Sequence, residues 1–175
     1  MPIDLLQFIT DSPIGRFWAL FSEAGLKRLI IDDLRPVPEA PLRSPRGIQL
    51  RDQLLGYFSG TTQVFDLPLD LADVEPFSAS VLQALAKVPF GEVVSYKALA
   101  ESVGEPHGAQ AVGAVMASNP ILIILPCHRV IASDGHLTGF SAPGGLNTKA
   151  WLLRFEGQNV FQNRVSDQQP SLFED

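Results

Sequence analysis

At Phe77 the texture of the chain changes, and that change restricts its folds more than any other feature. Before it, short apolar runs alternate with turn signals. Gln7-Phe8-Ile9-Thr10, Arg16 to Phe21 (RFWALF) and Leu26 to Ile31 (LKRLII) are separated by Ser12-Pro13-Ile14-Gly15 and Ser22-Glu23-Ala24-Gly25. Three such runs with short connections predict a small antiparallel sheet. The stretch 35–45 (RPVPEAPLRSP) reads as a proline-rich loop. Ile48 to Phe58 has helical spacing and is ended by Ser59-Gly60. Phe65 to Leu71 reads as an extended connector, because Pro68 cannot sit in a central strand.

After Phe77 the pattern is helical. Ser78 to Val88 places Val81, Leu82, Leu85 and Val88 on one face, and Pro89-Phe90-Gly91 breaks it. Ser95 can cap a short helix from Tyr96 to Val103, which Gly104 ends. A third helix runs from Ala109 to Ala117 and stops at Asn119-Pro120. Two short helices joined by a tight glycine-containing turn read as a helix-turn-helix. The third helix is poor in bulky side chains, which wastes burial in a core but suits close approach of another surface. Pro120 to Pro126 (PILIILP) reads as a buried strand, Lys149 to Phe155 as a helix, and the polar residues after Gly157 as a frayed tail. The expectation is an α+β chain with a sheet-bearing domain over 1–76, a helical domain over 77–157 and a tail over 158–175.

Composition excludes several classes. No apolar run reaches the roughly 18–20 residues that span a bilayer, and the N-terminus lacks the basic segment of a secretory signal. A cytoplasmic protein with no membrane contact is expected. A single cysteine cannot form an internal disulfide or a multi-cysteine zinc site, and His107, His128 and His136 lack the spacing of a helical metal pair. Neither a metal nor a cofactor is expected, and glycine-rich nucleotide fingerprints are missing. The net charge of −6 speaks against nucleic acid, but its distribution weakens that objection. Residues 1–76 carry 7 basic and 11 acidic side chains, residues 77–157 carry 5 of each, and residues 158–175 carry 1 and 3.

The chemistry concentrates in Pro126-Cys127-His128-Arg129-Val130. A lone cysteine is ordinarily a small buried hydrophobe. Here a proline precedes it and a histidine follows, so a base stands beside a potential thiolate nucleophile. Adjacency alone is weak, since neighbours on a strand face opposite ways. Glu156 could orient the histidine. A cysteine hydrolase would use the same pair, but would also need an oxyanion hole.

PCHRV is also the nucleophile motif of a known family, and it does not stand alone. Phe90-Gly91-Glu92-Val93-Val94-Ser95-Tyr96, Ala111-Val112-Gly113, Asn119-Pro120, Leu137-Thr138-Gly139-Phe140 and Trp151 to Gly157 (WLLRFEG) follow in the same order and near-family spacing. Through these motifs the chain resembles the O6-alkylguanine-DNA alkyltransferases (methylated-DNA–protein-cysteine methyltransferases), closely over 77–157 and loosely before. The resemblance implies a ribonuclease-H-like N-terminal domain, and a C-terminal domain bearing the helix-turn-helix and a nucleophile strand. It implies that Cys127 accepts the alkyl group, with His128 as base through a water, Glu156 holding its tautomer, and a depressed thiol pKa at the floor of a pocket. Asn119 would organise the turn before the nucleophile, and Tyr96 would donate a hydrogen bond or proton to the leaving guanine. Double-stranded DNA would be entered through the minor groove by a monomer, with the damaged base flipped out. Tyr96, Ala109, Gln110, Ala111, Gly113 and Arg129 would face DNA, and Pro126, Val130, Phe140 and Ser141 would line the pocket.

Two departures stand out. Gln110 occupies the position where the family usually has an intercalating arginine. The loop Phe140 to Gly145 (FSAPGG) is longer than usual, with Phe140 in place of a common tyrosine. Transfer from an O-alkyl carbon leaves a thioether, which water cannot cleave as it would a thioester. With no second cysteine to regenerate the thiol, one turnover per molecule is expected. A non-catalytic lesion sensor of the same fold is the alternative.

Overall fold

The structure is a computed structural model and describes residues 6–166. The first residues of the N-terminus, and the part of the expected tail beyond residue 166, lie outside the described residues. Two compact units divide the chain, one running to Asp73 with Pro120–Leu122, the other Val74–Asn119 with the remainder from Ile123.

In the first unit, β1 (Gln7–Thr10), β2 (Phe17–Phe21) and β3 (Leu26–Ile31) form an antiparallel sheet in that order. Its register pairs Phe8 with Trp18 and Phe17 with Ile31. Helix α1 (Pro45–Phe58) begins where expected of its caps: the Ser44 side chain accepts from the Gly47 N–H, and Pro45 takes the first turn, where a missing donor does no harm. The helix packs against β1 and buries Leu50, Leu54 and Tyr57 completely. Each such leucine contributes about 1.5–3 kcal/mol. Beside the sheet, Leu29 N–H donates to the Pro120 carbonyl at 2.9 Å and Leu122 N–H to the Leu29 carbonyl at 3.0 Å. Residues 120–122 thereby lie parallel to β3, with Ile121 paired to Leu29.

The second unit holds α2 (Pro76–Leu85), β4 (Val94–Ser95), α3 (Tyr96–Ser102), α4 (Ala109–Ala117), β5 (Val130–Ile131) and α5 (Leu146–Phe155). Ser95 caps α3 by accepting from the Ala98 N–H at 3.0 Å, and Gly104, at φ +82°, turns the chain after it. Helices α2, α3 and α4 pack on one another through Leu82, Leu85, Leu99, Val112 and Val115. Strands β4 and β5 pair in parallel, Val94 opposite Val130. Among the described residues no helix is long and apolar enough to cross a membrane.

Two sequence expectations are overturned here. Residues 120–126 are not a strand: Ile123 has φ +70° and the segment turns on itself. Prolines at both ends remove ladder donors, and the Asn119 side-chain amide closes the turn by donating to the Leu125 carbonyl at 2.7 Å. A single 3₁₀ turn, Cys127–Arg129, follows, so the cysteine precedes strand β5 and does not lie on it. Nor is 158–166 a frayed tail. β6 (Val160–Phe161) and β7 (Arg164–Val165) form a hairpin around Gln162 and Asn163, both at positive φ as a two-residue turn requires. Val160 and Val165 join Ile131, Leu137 and Leu153 in one core, and that burial offsets the polar composition.

Candidate active site

The turn from Asn119 to Cys127 delivers the chain's single thiol into the second unit. Cys127 is only 3% exposed, and its N–H donates to the Leu125 carbonyl at 2.8 Å. Burial pushes the thiol pKa up, and a hydrogen bond from Asn119 and the charge of Lys149 only partly counter it. Desolvation thus reverses the depressed thiol pKa that the resemblance implies.

His128 is fully buried, with Nε2 2.8 Å from Glu156 Oε1. Glu156 sits at the end of α5. Burial opposes its ionisation, but His128 and the Arg129 guanidinium outweigh that and hold it well below the usual carboxylate range. An ionised carboxylate only accepts, so Nε2 of His128 carries the proton of that bond. Its Nδ1 is then a lone pair, and it has no partner among the described residues. Burial keeps the imidazole below its ordinary pKa; Glu156 raises it, while Arg129 and Lys149 lower it. A neutral imidazole with a bare Nδ1 is equipped to accept a proton.

Arg129, expected on the DNA face, is instead buried at 5% exposure. Its Nε donates to Glu156 Oε2 at 2.8 Å, Nη2 to Oε1 at 2.9 Å, and Nη1 to the Val88 carbonyl at 2.7 Å. A guanidinium whose fork is spent on a buried carboxylate has no reach to a phosphate.

The thiol opens on a cavity of about 210 Å³. Tyr96 and Lys149 stand on its wall with Cys127, the segment Thr138 to Ser141 forms one side, and Gly113, Met116 and Ala117 bring in α4. Phe140 and Ser141, expected to line the substrate pocket, line this cavity. Pro126 and Val130, also expected there, are both buried, Val130 within the β4–β5 pair. The Tyr96 hydroxyl donates to the Thr138 carbonyl at 2.9 Å, and the Thr138 hydroxyl donates back at 3.1 Å. Burial raises its pKa, which keeps the phenol protonated. On α4, Gln110, Ala111 and Ala114 are exposed and Ala109 and Gly113 half-buried. A Cβ added at Gly113 would meet nothing within 4 Å beyond its own helix.

Lys149 went unnoticed in the sequence. It is 1% exposed, and its ammonium donates to the carbonyls of Val130 at 2.6 Å and of Thr138 and Gly139 at 3.3 Å. Burial pushes its pKa down to about 8, against the opposing pull of Cys127. The available signal was its place on the apolar stripe of α5, beside Ala150, Leu152 and Leu153.

The 6-O-methylguanine DNA methyltransferase DNA-binding domain matches residues 76–158. A methylated-DNA–protein-cysteine methyltransferase of Methanosarcina barkeri is 40% identical over 158 residues, covering 87% of this chain and 97% of the relative. One from Salmonella typhimurium is 46% identical over 108 residues, 62% of each chain. Among solved structures, Mycobacterium tuberculosis OGT in complex with DNA superposes with a TM-score of 0.73 at 38% identity, covering 84% of this chain and 89% of that one.

Proposed function

The chain belongs to the methylated-DNA–protein-cysteine methyltransferase family, and we propose that it repairs DNA by moving the alkyl group of O6-alkylguanine onto Cys127, once per molecule. The observation that carries this reading is the placement of the only thiol in a cavity walled by the second helix of a helix-turn-helix, beside the buried His128–Glu156 pair. His128 Nδ1 takes the thiol proton through a water. The sulfur electron pair forms the S–C bond, the C–O6 bond breaks, and its pair passes to guanine. Tyr96 supplies the compensating proton or hydrogen bond, giving up its bond to the Thr138 carbonyl. Lys149 holds the cavity wall through the Thr138 and Gly139 carbonyls.

The base must leave the stack to reach a thiol this deep. The α4 surface suits a double-stranded minor groove, which is only about 6 Å wide: Ala111 and Ala114 are exposed, and packing does not require the glycine at 113. The protein acts as a monomer in the cytoplasm, whose reducing poise keeps the acceptor thiol free.

Burial of the thiol favours one second reading, a sensor that binds the lesion without reacting. Incubation with duplex DNA carrying O6-methylguanine, followed by peptide mass analysis, separates the two. Transfer adds one methylene to the Cys127 peptide, while Cys127→Ser binds the lesion and gains nothing. Lesion binding by the unaltered chain with no mass gain would establish the sensor instead.

A further inference from the structure

Beside the β6–β7 hairpin lies an open cleft of about 700 Å³ that the transfer step does not use. Arg164 and Phe161 line it from the hairpin, Asp134 and His136 from the turn after β5. Leu137 N–H donates to the Asn163 carbonyl at 2.8 Å and Val165 N–H to the Gly135 carbonyl at 2.9 Å, so hairpin and turn form one backbone-bonded frame. Arg164 is the only basic residue beyond Arg154. Its Nε donates to the Asp134 carbonyl at 2.8 Å, which steadies the guanidinium, and its two outer nitrogens have no partner among the described residues. The Asp134 carboxylate is engaged elsewhere: it accepts from the His136 N–H at 3.1 Å and stands 3.0 Å from His136 Nδ1. The Phe161 ring borders the same cleft and is 69% exposed, an apolar surface that the fold leaves in water.

Position ties this cleft to the reaction. His136 lines the cleft and Thr138 lines the Cys127 cavity, both exposed, with Leu137 buried between them. Two residues of backbone span at most about 7 Å, so the two hollows open side by side. A base drawn into the cavity brings its own strand to that face, and neighbouring nucleotides follow at roughly 3.4 Å of rise each. We propose that the cleft is a backbone subsite for the strand carrying the damaged base. The outer nitrogens of Arg164 hold a phosphodiester within about three nucleotides of the lesion, and Phe161 packs against the adjoining deoxyribose. A planar guanidinium meets two phosphate oxygens at once, which an ammonium does not. Such a contact carries no sequence information, but it fixes the register of the strand while the base is extruded.

The subsite rests on the reading of the chain as a DNA alkyl acceptor, and its test separates the two. Binding of the full chain to a duplex with one O6-methylguanine is followed by fluorescence anisotropy across salt, in a Cys127→Ser background. Arg164→Gln keeps a donor for the Asp134 carbonyl but loses the charge. It should weaken binding about threefold at low salt and make the slope of log K against log salt shallower by about 0.9, the share of one neutralised phosphate. Arg164→Lys should restore the slope, and Phe161→Ala should weaken binding without moving it. Replacing single phosphates near the lesion by methylphosphonate should reveal one position that weakens binding by the Arg164 chain and has no effect on Arg164→Gln. A merely structural role of Arg164 would leave that effect in place. With Cys127 intact, transfer from free O6-methylguanine, which has no phosphate, should proceed at the same rate in Arg164→Gln. An unmoved slope, a methylphosphonate effect that survives loss of the guanidinium, or a fall in the free-base rate overturns the subsite. The expected binding results in a protein whose Cys127 gains no methyl would instead overturn the acceptor reading alone.

Discussion

Replacing Lys149 by methionine should change the pH dependence of stability, with a size that follows from its burial. The ammonium is 1% exposed, and its pKa falls from an ordinary 10.5 to about 8, mainly through desolvation. Between those values the unfolded chain binds more protons at this side chain than the folded one, so stability rises with pH there. Below the folded value the whole penalty is present, about 3 kcal/mol at about 1.36 kcal/mol per tenfold in proton affinity. At pH about 10 the folded lysine is neutral and the remaining penalty is less than about 1 kcal/mol. Lys149→Met also strips a donor from the carbonyls of Val130, Thr138 and Gly139, at a cost that does not depend on pH. That cost cancels when the variant is compared with its parent across pH. The comparison belongs in a Cys127→Ser background, because Cys127 opposes the shift. Urea unfolding at pH about 7 and about 10 should show the lysine form gaining about 2.5 kcal/mol on its Met counterpart. A difference that stays flat across that range would mean the buried ammonium is stabilised as well as it is in water, and the desolvation argument fails.

Two further outcomes concern DNA. Gln110 is exposed on α4 and brings no charge, so Gln110→Arg should speed repair of duplex substrate while barely changing the rate on free O6-alkylguanine. About 1.4 kcal/mol of added stabilisation of the flipped state is tenfold in rate, and an equal change on both substrates would place Gln110 in the pocket chemistry instead. Because residues 77–157 carry equal numbers of basic and acidic side chains and Arg129 is buried, log K should fall only shallowly with log salt. A slope like that of roughly 6–10 neutralised phosphates would refute it.

Local signals carried much of the architecture. Ala109 to Ala117 is the helix its punctuation suggests, since Gly108 and Asn119-Pro120 leave the backbone few alternatives. Strands β1 and β3 also keep their expected bounds, each closed by a turn whose chemistry is local. The misreadings share one cause: the deciding partner is distant in sequence. Pro120–Pro126 has the composition of a buried strand, but its first residues pair with β3 while Asn119 folds the rest into a turn. Val160 and Val165 reveal themselves as core only once Ile131 and Leu153 are known to face them. Arg129 looks like a surface cation until Glu156 is found against it, and Lys149 is a helix-face charge until three carbonyls surround it. The placement of His128 against Glu156, by contrast, is the juxtaposition that the family resemblance implied.

The left-handed backbone at Ile123 makes that position a compromise with no comfortable occupant. A branched side chain at φ +70° carries about 1–2 kcal/mol of conformational energy. Glycine would relax the backbone but empty a site that is 2% exposed, forfeiting the roughly 2–5 kcal/mol by which a buried isoleucine exceeds a small residue. Asparagine tolerates the torsion, yet would carry an amide into an apolar interior at a cost of about 1–3 kcal/mol if left unbonded. In a saturation library read out by thermal persistence, residue 123 should therefore resemble a core position in its intolerance of polar residues. It should differ from one in its indifference to helix and strand propensity, because the torsion it must adopt belongs to neither.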